Sequence, residues 1–169
     1  MRNKKEYLAL AVSILLIRFL LLGIGLSEPW AQELKTSVQI VDNGVKVGVS
    51  VLVDLIALLG LFVTKGRAFA LVAPLFVIGL LLGLTKEAIF YVGHNIEMAT
   101  VVASFLLAYQ IWFVVVLLWL RQPMALFLLP RLAWSALEVL GMVEQLDVLR
   151  REKAGKSTEP LSAFSPLIK

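Results

Sequence analysis

A chain of 169 residues in which 60% of the side chains are hydrophobic and 17% are charged is too apolar to be an ordinary soluble domain. Its mean hydropathy of +0.90 predicts an integral membrane protein. The length allows about four spans of ~20 residues each and leaves no room for a separate soluble domain. The chain has no cysteine, which excludes disulfides, thiolate metal sites and thiol chemistry.

Apolar runs predict four transmembrane helices within residues 1–121, which form one bundle. The predicted spans are about 8–26, 45–63, 68–92 and 99–120. The first run also resembles a cleaved signal peptide, because it follows a basic N-terminus. Arg18 interrupts that run, however, and no cleavage site flanked by small residues stands out after it, so a true span is favoured.

The basic residues outside the spans indicate how the chain crosses the membrane. In a four-span arrangement they lie on one side, which predicts that this side is cytoplasmic; they are Arg2, Lys4, Lys5, Lys65, Arg67 and Arg121. The loops on the other side are slightly acidic, as the same rule expects. Both termini are therefore expected in the cytoplasm, and the membrane is expected to be the plasma membrane. The small net charge of +4 gives no reason to expect a nucleic-acid partner.

The pattern changes after Arg121. The apolar segment 124–129 is only six residues long and lies between Pro123 and Pro130, and proline interrupts helical hydrogen bonding. From 131 to about 146, apolar and polar residues fall on opposite helical faces. We therefore expect an interfacial amphipathic helix within 122–153 and a flexible tail over 154–169. A fifth span or a re-entrant segment over 123–143 is the alternative, and it would move the C-terminus to the outer side.

The predicted fold class is thus an all-α integral membrane protein, with a four-helix transmembrane bundle and a C-terminal interfacial amphipathic helix. Three spans bring a strongly polar group to similar depth. Arg18 lies about 16 Å and Asp54 ~18 Å from the inner face, and Gln110, beside Tyr109, lies ~16 Å from the outer face.

This intramembrane polar cluster has two explanations. Arg18 and Asp54 form a structural ion pair that fixes helix register, with Gln110 or Tyr109 taking up the remaining hydrogen-bonding capacity. Alternatively, the cluster is a relay for protons or ions, because such groups often mark pathways. A close arginine keeps Asp54 ionised, which weakens the relay explanation.

A second polar cluster is predicted near the outer face. Lys86 and Glu87 come close to the end of the third span, where both side chains are expected to reach the lipid headgroups. With Glu97, the single histidine His94 forms a candidate external cation or proton site. One histidine with loosely spaced carboxylates is a weak metal signature and cannot supply bis-histidine haem ligation. No metal or cofactor is therefore expected.

Gly79 and Gly83 have the small-xxx-small spacing that lets a neighbouring helix approach closely. That neighbour belongs either to the same bundle or to another subunit. The sequence contains no nucleophile elbow, phosphate-binding glycine loop or paired catalytic carboxylates. An enzymatic function is therefore not expected.

Several features of residues 42–121 occur together in one family. They are the acidic residue that begins the segment 54–59, the basic hairpin after it, the segment 76–79, Lys86 before His94, and the closing segment 117–121. In these features the chain resembles the phosphate-starvation-inducible protein E family of small four-span membrane proteins from bacteria and archaea. The resemblance implies a multi-pass membrane protein with no established reaction, so no catalytic residues carry over.

Two functions are consistent with these observations. In the first, the protein is an accessory, structural or regulatory subunit of a larger membrane complex, with the lipid bilayer and other membrane subunits or further copies of itself as partners. In the second, it is a small oligomeric transporter or channel for ions, protons or solutes, with Arg18, Asp54 and Gln110 along the path. The first is favoured, because opposite charges at one depth neutralise each other.

Overall fold

The computed structural model describes residues 2–27 and 43–157, and these residues form five α-helices. They are α1 (Arg2–Ser27), α2 (Asn43–Val63), α3 (Arg67–Glu87), α4 (Ile96–Trp119) and α5 (Met124–Ser157). A π-helical turn, Ala88–Val92, continues α3. Most of the predicted loop between the first two spans, and residues 158–169 of the predicted tail, lie outside the described residues. Residues 154–157 of that tail belong to α5.

The all-α membrane fold is confirmed. Four helical segments are long and apolar enough to cross a bilayer by length and composition: Lys4–Gly23, Arg67–Val92, Ile96–Trp119 and Met124–Gly155. The remaining helix, α2, has 21 residues and contains the apolar segment Gly48–Val63. The set of long apolar helices therefore includes the C-terminal helix, which the sequence pattern had assigned to the membrane surface.

The helix α5 differs most from expectation, because it continues through Pro130. A proline inside a transmembrane helix is tolerated where neighbouring helices satisfy the backbone groups that it frees, and α5 packs along both α2 and α4. The polar face identified in the sequence exists, but it faces the bundle and not water. Arg131 and Ser135 on that face are buried, whereas Leu137 and Leu140 are 63% and 66% exposed.

Contacts among the described helices form a closed ring in the order α1, α3, α4, α5, α2. The interior is packed with apolar side chains that are almost fully buried, among them Leu61, Val72, Leu80, Leu117 and Met124. Many large apolar side chains on the outside are exposed, as lipid contact requires. Each helix therefore has one face toward the interior of the ring, where its polar groups can meet those of the others.

Two ends of this bundle can be distinguished by contacts. At the first end, Lys4 Nζ donates a hydrogen bond to the carbonyl oxygen of Phe62 (3.2 Å), so α1 begins where α2 ends. At the second end, Arg150 Nη2 lies 3.8 Å from Glu97 Oε1, so the last turns of α5 lie where α4 begins. The start of α1 and the end of α5 are thus at opposite ends, which differs from the expectation that both termini share one face.

Glycine allows a close approach of α2 and α5. A Cβ atom on Gly60 of α2 would lie 2.7 Å from Phe127 Cβ of α5, closer than real side chains come. Sequence reasoning missed Gly60, although Thr64, four residues later and also buried, completes a small-xxx-small pair. Gly79 plays the role predicted for it, since a Cβ there would lie 3.4 Å from the ring of Tyr109 on α4.

Candidate functional site

Arg18 of α1 is the centre of a buried polar site. Its Nη1 binds Asp54 Oδ2 of α2, and its Nε binds Glu87 Oε1 at the end of α3. Nη2 donates a third hydrogen bond to Ser50 Oγ at 3.1 Å, one turn before Asp54. Arg18 is 4% exposed. The predicted pair of Arg18 and Asp54 therefore exists, but the guanidinium group also binds a second carboxylate, which was not expected.

A second arginine approaches Asp54 from the opposite side. Arg131 of α5 binds Asp54 Oδ1 through its Nη1, and both side chains are buried. Asp54 is consequently shared between two guanidinium groups and links α1, α2 and α5. This contact explains why the polar face of α5 turns inward, because a buried arginine needs an anionic partner.

A fourth ion pair joins α3 to α5. Lys86 Nζ binds Glu138 Oε2, and the indole Nε1 of Trp134 donates to Glu138 Oε1 at 2.8 Å. Lys86 is only 3% exposed. The expectation that Lys86 and Glu87 extend to the headgroups is therefore wrong. The reason is that α5, placed at the surface in the sequence analysis, brings Glu138 to Lys86, while α1 brings Arg18 to Glu87.

Together these groups form what we call the charge network, which has three cations and three anions drawn from four helices: Arg18, Asp54, Lys86, Glu87, Arg131 and Glu138. The network is formally neutral. A buried ion pair is weak evidence for stability, because a well-packed apolar replacement is often as stable, but removing one partner is strongly destabilising. The network therefore makes the correct arrangement of α1, α2, α3 and α5 strongly preferred over arrangements that would leave a charge unpaired.

Gly83 lies next to the network. A Cβ atom at this position would lie 3.5 Å from Arg131 Nη2 and 3.9 Å from Arg18 Nη1, which are ordinary van der Waals distances. Both guanidinium groups therefore lie against α3 at this glycine, although a methyl group would also fit there. Gly83 was predicted as a helix-packing residue, and its neighbours include Leu106 of α4, but it also faces the two arginines.

The two α4 residues of the predicted cluster are not bonded to the Arg18 and Asp54 pair. The Tyr109 hydroxyl donates to the carbonyl oxygen of Leu75 on α3 at 2.6 Å. Gln110 is 6% exposed, and neither atom of its amide has a hydrogen-bond partner in the described part of the chain. Its amide and Arg131 line a cavity of about 10 Å³, which is room for about one water molecule.

The second predicted cluster does not form one site. Glu87 and Lys86 are inside the bundle, whereas His94 and Glu97 are exposed at the second end. The contact of Glu97 with Arg150 is largely solvent-exposed, and such pairs contribute little. Among residues 2–27 and 43–157, no three His, Cys, Asp or Glu side chains are grouped closely enough to hold a metal ion.

The turn after Glu87 has special geometry. Residues Ala88–Val92 form a π-helical turn. Such turns are rare in proteins, and those that occur are often found at functional sites. A Cβ on the following residue, Gly93, would lie 2.9 Å from the carbonyl oxygen of Ile89, so only glycine fits without a shift. The turn ends α3 immediately beyond Lys86 and Glu87 and leads to the exposed second end.

Three members of the site were missed by sequence reasoning: Ser50, Arg131 and Glu138. The signal for two of them was present, since Arg131, Ser135 and Glu138 lie on one helical face within an otherwise apolar segment. Such a stripe fits a surface helix and a transmembrane helix with a polar interior face equally well. Ser50 precedes Asp54 by four residues, which is one helical turn.

No family model, curated protein or solved structure matches the chain. The fold and the site define its class: an all-α, multi-pass membrane protein in which α1, α2, α3 and α5 share a neutral network of six charges, five of them buried.

Proposed function

We propose that the protein is a non-enzymatic accessory, structural or regulatory subunit of a larger membrane complex. The observation that carries the proposal is the mutual neutralisation of six charges, of which five are buried and the sixth, Glu138, is 24% exposed. These pairs link the helices and occupy groups that a transport path would leave free. The cavity beside Arg131 is about 10 Å³, far from a continuous path. The resemblance to the phosphate-starvation-inducible protein E family stays a prediction.

The proposed location is the plasma membrane with the N-terminus in the cytoplasm. The sequence at the first end carries six basic residues and one acidic residue, Glu6. At the second end, the described segments 43–46, 93–97 and 144–157 carry five basic and four acidic residues, so the excess of basic residues is much smaller there. Since basic residues favour the cytoplasmic side, the first end is assigned there. The end of α5 then lies on the opposite side, because α5 ends at the second end of the bundle.

Gentle detergent extraction of the full chain from its native membrane tests the proposal. We expect the protein to migrate with other subunits in a fixed ratio. The variant Asp54→Asn, which weakens the charge network, is expected to lose that association, while Glu97→Gln at the exposed second end serves as the matched control. A pure, single-chain particle from wild-type membranes would contradict the proposal.

A small oligomeric transporter or channel is the second candidate. Two observations favour it: the Gln110 amide has no partner beside Arg131, and Glu87 Oε2 has no hydrogen bond in the described part of the chain. Purified protein in liposomes would then show ion, proton or solute flux, and Asp54→Asn would assemble normally but lose that flux. Absence of flux for the wild-type protein, together with loss of assembly for Asp54→Asn, would favour the subunit.

A further inference from the structure

The three anions of the charge network are unequally compensated. Asp54 binds two guanidinium groups, those of Arg18 and Arg131. Both oxygens of Glu138 accept a hydrogen bond, one from Lys86 and one from Trp134. Glu87 is different.

Glu87 Oε1 accepts from Arg18 Nε, a group whose other nitrogens are already engaged with Asp54 and Ser50. Its Oε2 has no hydrogen-bond partner among the described residues. At 1% exposure the carboxylate is also shielded from bulk water. A buried carboxylate oxygen without a donor is costly when ionised and much less so when protonated. Glu87 is therefore the position at which the network most readily accepts a proton.

The surroundings of Glu87 are mixed in charge. Arg18 of α1 and its own neighbour Lys86 are cationic, and Glu138 of α5 is anionic. The phenol of Tyr91, in the π-helical turn, is also close enough to interact with its charge. From α2, Asp54 competes for Arg18. The only charged residue of α4, Glu97, is exposed at the second end.

Glu87 lies close to the second end of the bundle along its own helix. It is the last residue of α3, and the π-helical turn separates it from Gly93 and His94, which are exposed. Six residues span roughly 9 Å at the α-helical rise. The other two anions lie further along their helices from this end.

We propose that Glu87 is a proton-binding site that is loaded from the second end of the bundle. The proton adds to Oε2, no bond to carbon changes, and Oε1 remains an acceptor for Arg18. The network passes from neutral to a net charge of +1, and the ion pair between α1 and α3 becomes a hydrogen bond from the Arg18 guanidinium cation to a neutral carboxylic acid. This site is independent of the proposed subunit function, because it concerns a single chain.

Infrared difference spectroscopy of the full-length protein in lipid nanodiscs, recorded as the pH is lowered, tests the site. Protonation of a buried carboxylate produces a carbonyl band at the high-frequency edge of the carboxyl region. We expect this band in the wild type and in Glu138→Gln, the matched control at the other glutamate of the charge network, and its loss in Glu87→Gln. Carbon-13 labelling of glutamate should shift the band, and labelling of aspartate should not.

A band that persists in Glu87→Gln, or that moves with labelled aspartate, would overturn the proposal. So would the absence of any buried-carboxyl band in the wild type over the pH range in which it stays folded. If Glu87→Gln does not fold, Glu138→Gln decides instead. A glutamate band retained in that variant supports Glu87, and a band lost there assigns the proton to Glu138.

Discussion

Replacing Arg18 with methionine removes the single side chain that binds both Asp54 and Glu87. Methionine keeps an unbranched stem of similar reach, so the change is mainly one of charge and hydrogen bonding. Asp54 retains Arg131, but Glu87 loses the one hydrogen-bond donor that it has among residues 2–27 and 43–157, while it stays buried. Removal of one partner from a buried ion pair costs about 3–5 kcal/mol. We expect the free energy of unfolding of Arg18→Met to fall by an amount in this range.

Removing the orphaned anion as well should recover part of the loss. In the double variant Arg18→Met with Glu87→Leu, Arg131 still binds Asp54 and Lys86 still binds Glu138. The remaining buried charges are again balanced. Residues in one ion-pair network show interaction energies of about 0.5–3 kcal/mol. The double variant should therefore be more stable than Arg18→Met by an amount in that range.

Reversible unfolding in mixed micelles, followed for the wild type, both single variants and the double variant, gives the complete cycle. Lys65→Met, which removes an exposed cation from the turn between α2 and α3, is the control and should change stability by no more than about 0.5 kcal/mol. The reasoning is refuted if Arg18→Met loses less than about 1 kcal/mol, below the range for a broken buried pair. It is equally refuted if the losses of the two single variants simply add.

The remaining predictions concern packing. Gly60→Ala should destabilise the protein by about 1–3 kcal/mol, because its Cβ would overlap Phe127. Gly48→Ala has open space around it and should instead stabilise the protein by up to ~1 kcal/mol. Equal effects of the two substitutions on thermal unfolding would contradict the close approach of α2 and α5. Gln110→Leu should leave the melting temperature unchanged or higher, since it replaces an unpartnered buried amide; a marked decrease would mean that the amide is bonded. Tyr109→Phe should lose about 0.5–1.5 kcal/mol with its hydrogen bond to α3, and an unchanged unfolding midpoint would count against that bond.

Apolar runs predicted the helices α1, α3 and α4 well, because a bilayer of fixed thickness imposes both the length and the composition of a span. Counting residues along two of the predicted spans also predicted the pair of Arg18 and Asp54. That step needed only the helical rise and the opposite signs of the charges. It worked because each of these charges lies in the middle of an otherwise apolar helix, where depth follows directly from sequence position.

The rest of the site depends on which helices are neighbours, and hydropathy carries no such information. Lys86 lies near the end of a span, where a solvated position and a buried one have the same sequence pattern; only Glu138 on α5 distinguishes them. Pro130 led to a wrong helix boundary for a similar reason, because a proline that ends a helix in water is tolerated inside a packed bundle. Once α5 was assigned to the surface, the partners that it brings to Asp54 and Lys86 could not be predicted.

The position of α5 inside the bundle is the claim on which the charge network depends, and cross-linking in the native membrane tests it most directly. The chain has no cysteine, so Gly60→Cys combined with Phe127→Cys introduces one defined pair at a close contact of α2 with α5. The two Cβ atoms would lie 2.7 Å apart, and a disulfide needs about 3.5–4.5 Å. A small outward shift is therefore required, after which we expect the pair to form an intramolecular disulfide on mild oxidation. Gly60→Cys combined with Gly141→Cys, whose second position lies about 21 Å further along α5, should not. A failure of the first pair to cross-link, or equal cross-linking of both pairs, would contradict the bundle and with it the partners assigned to Asp54 and Lys86.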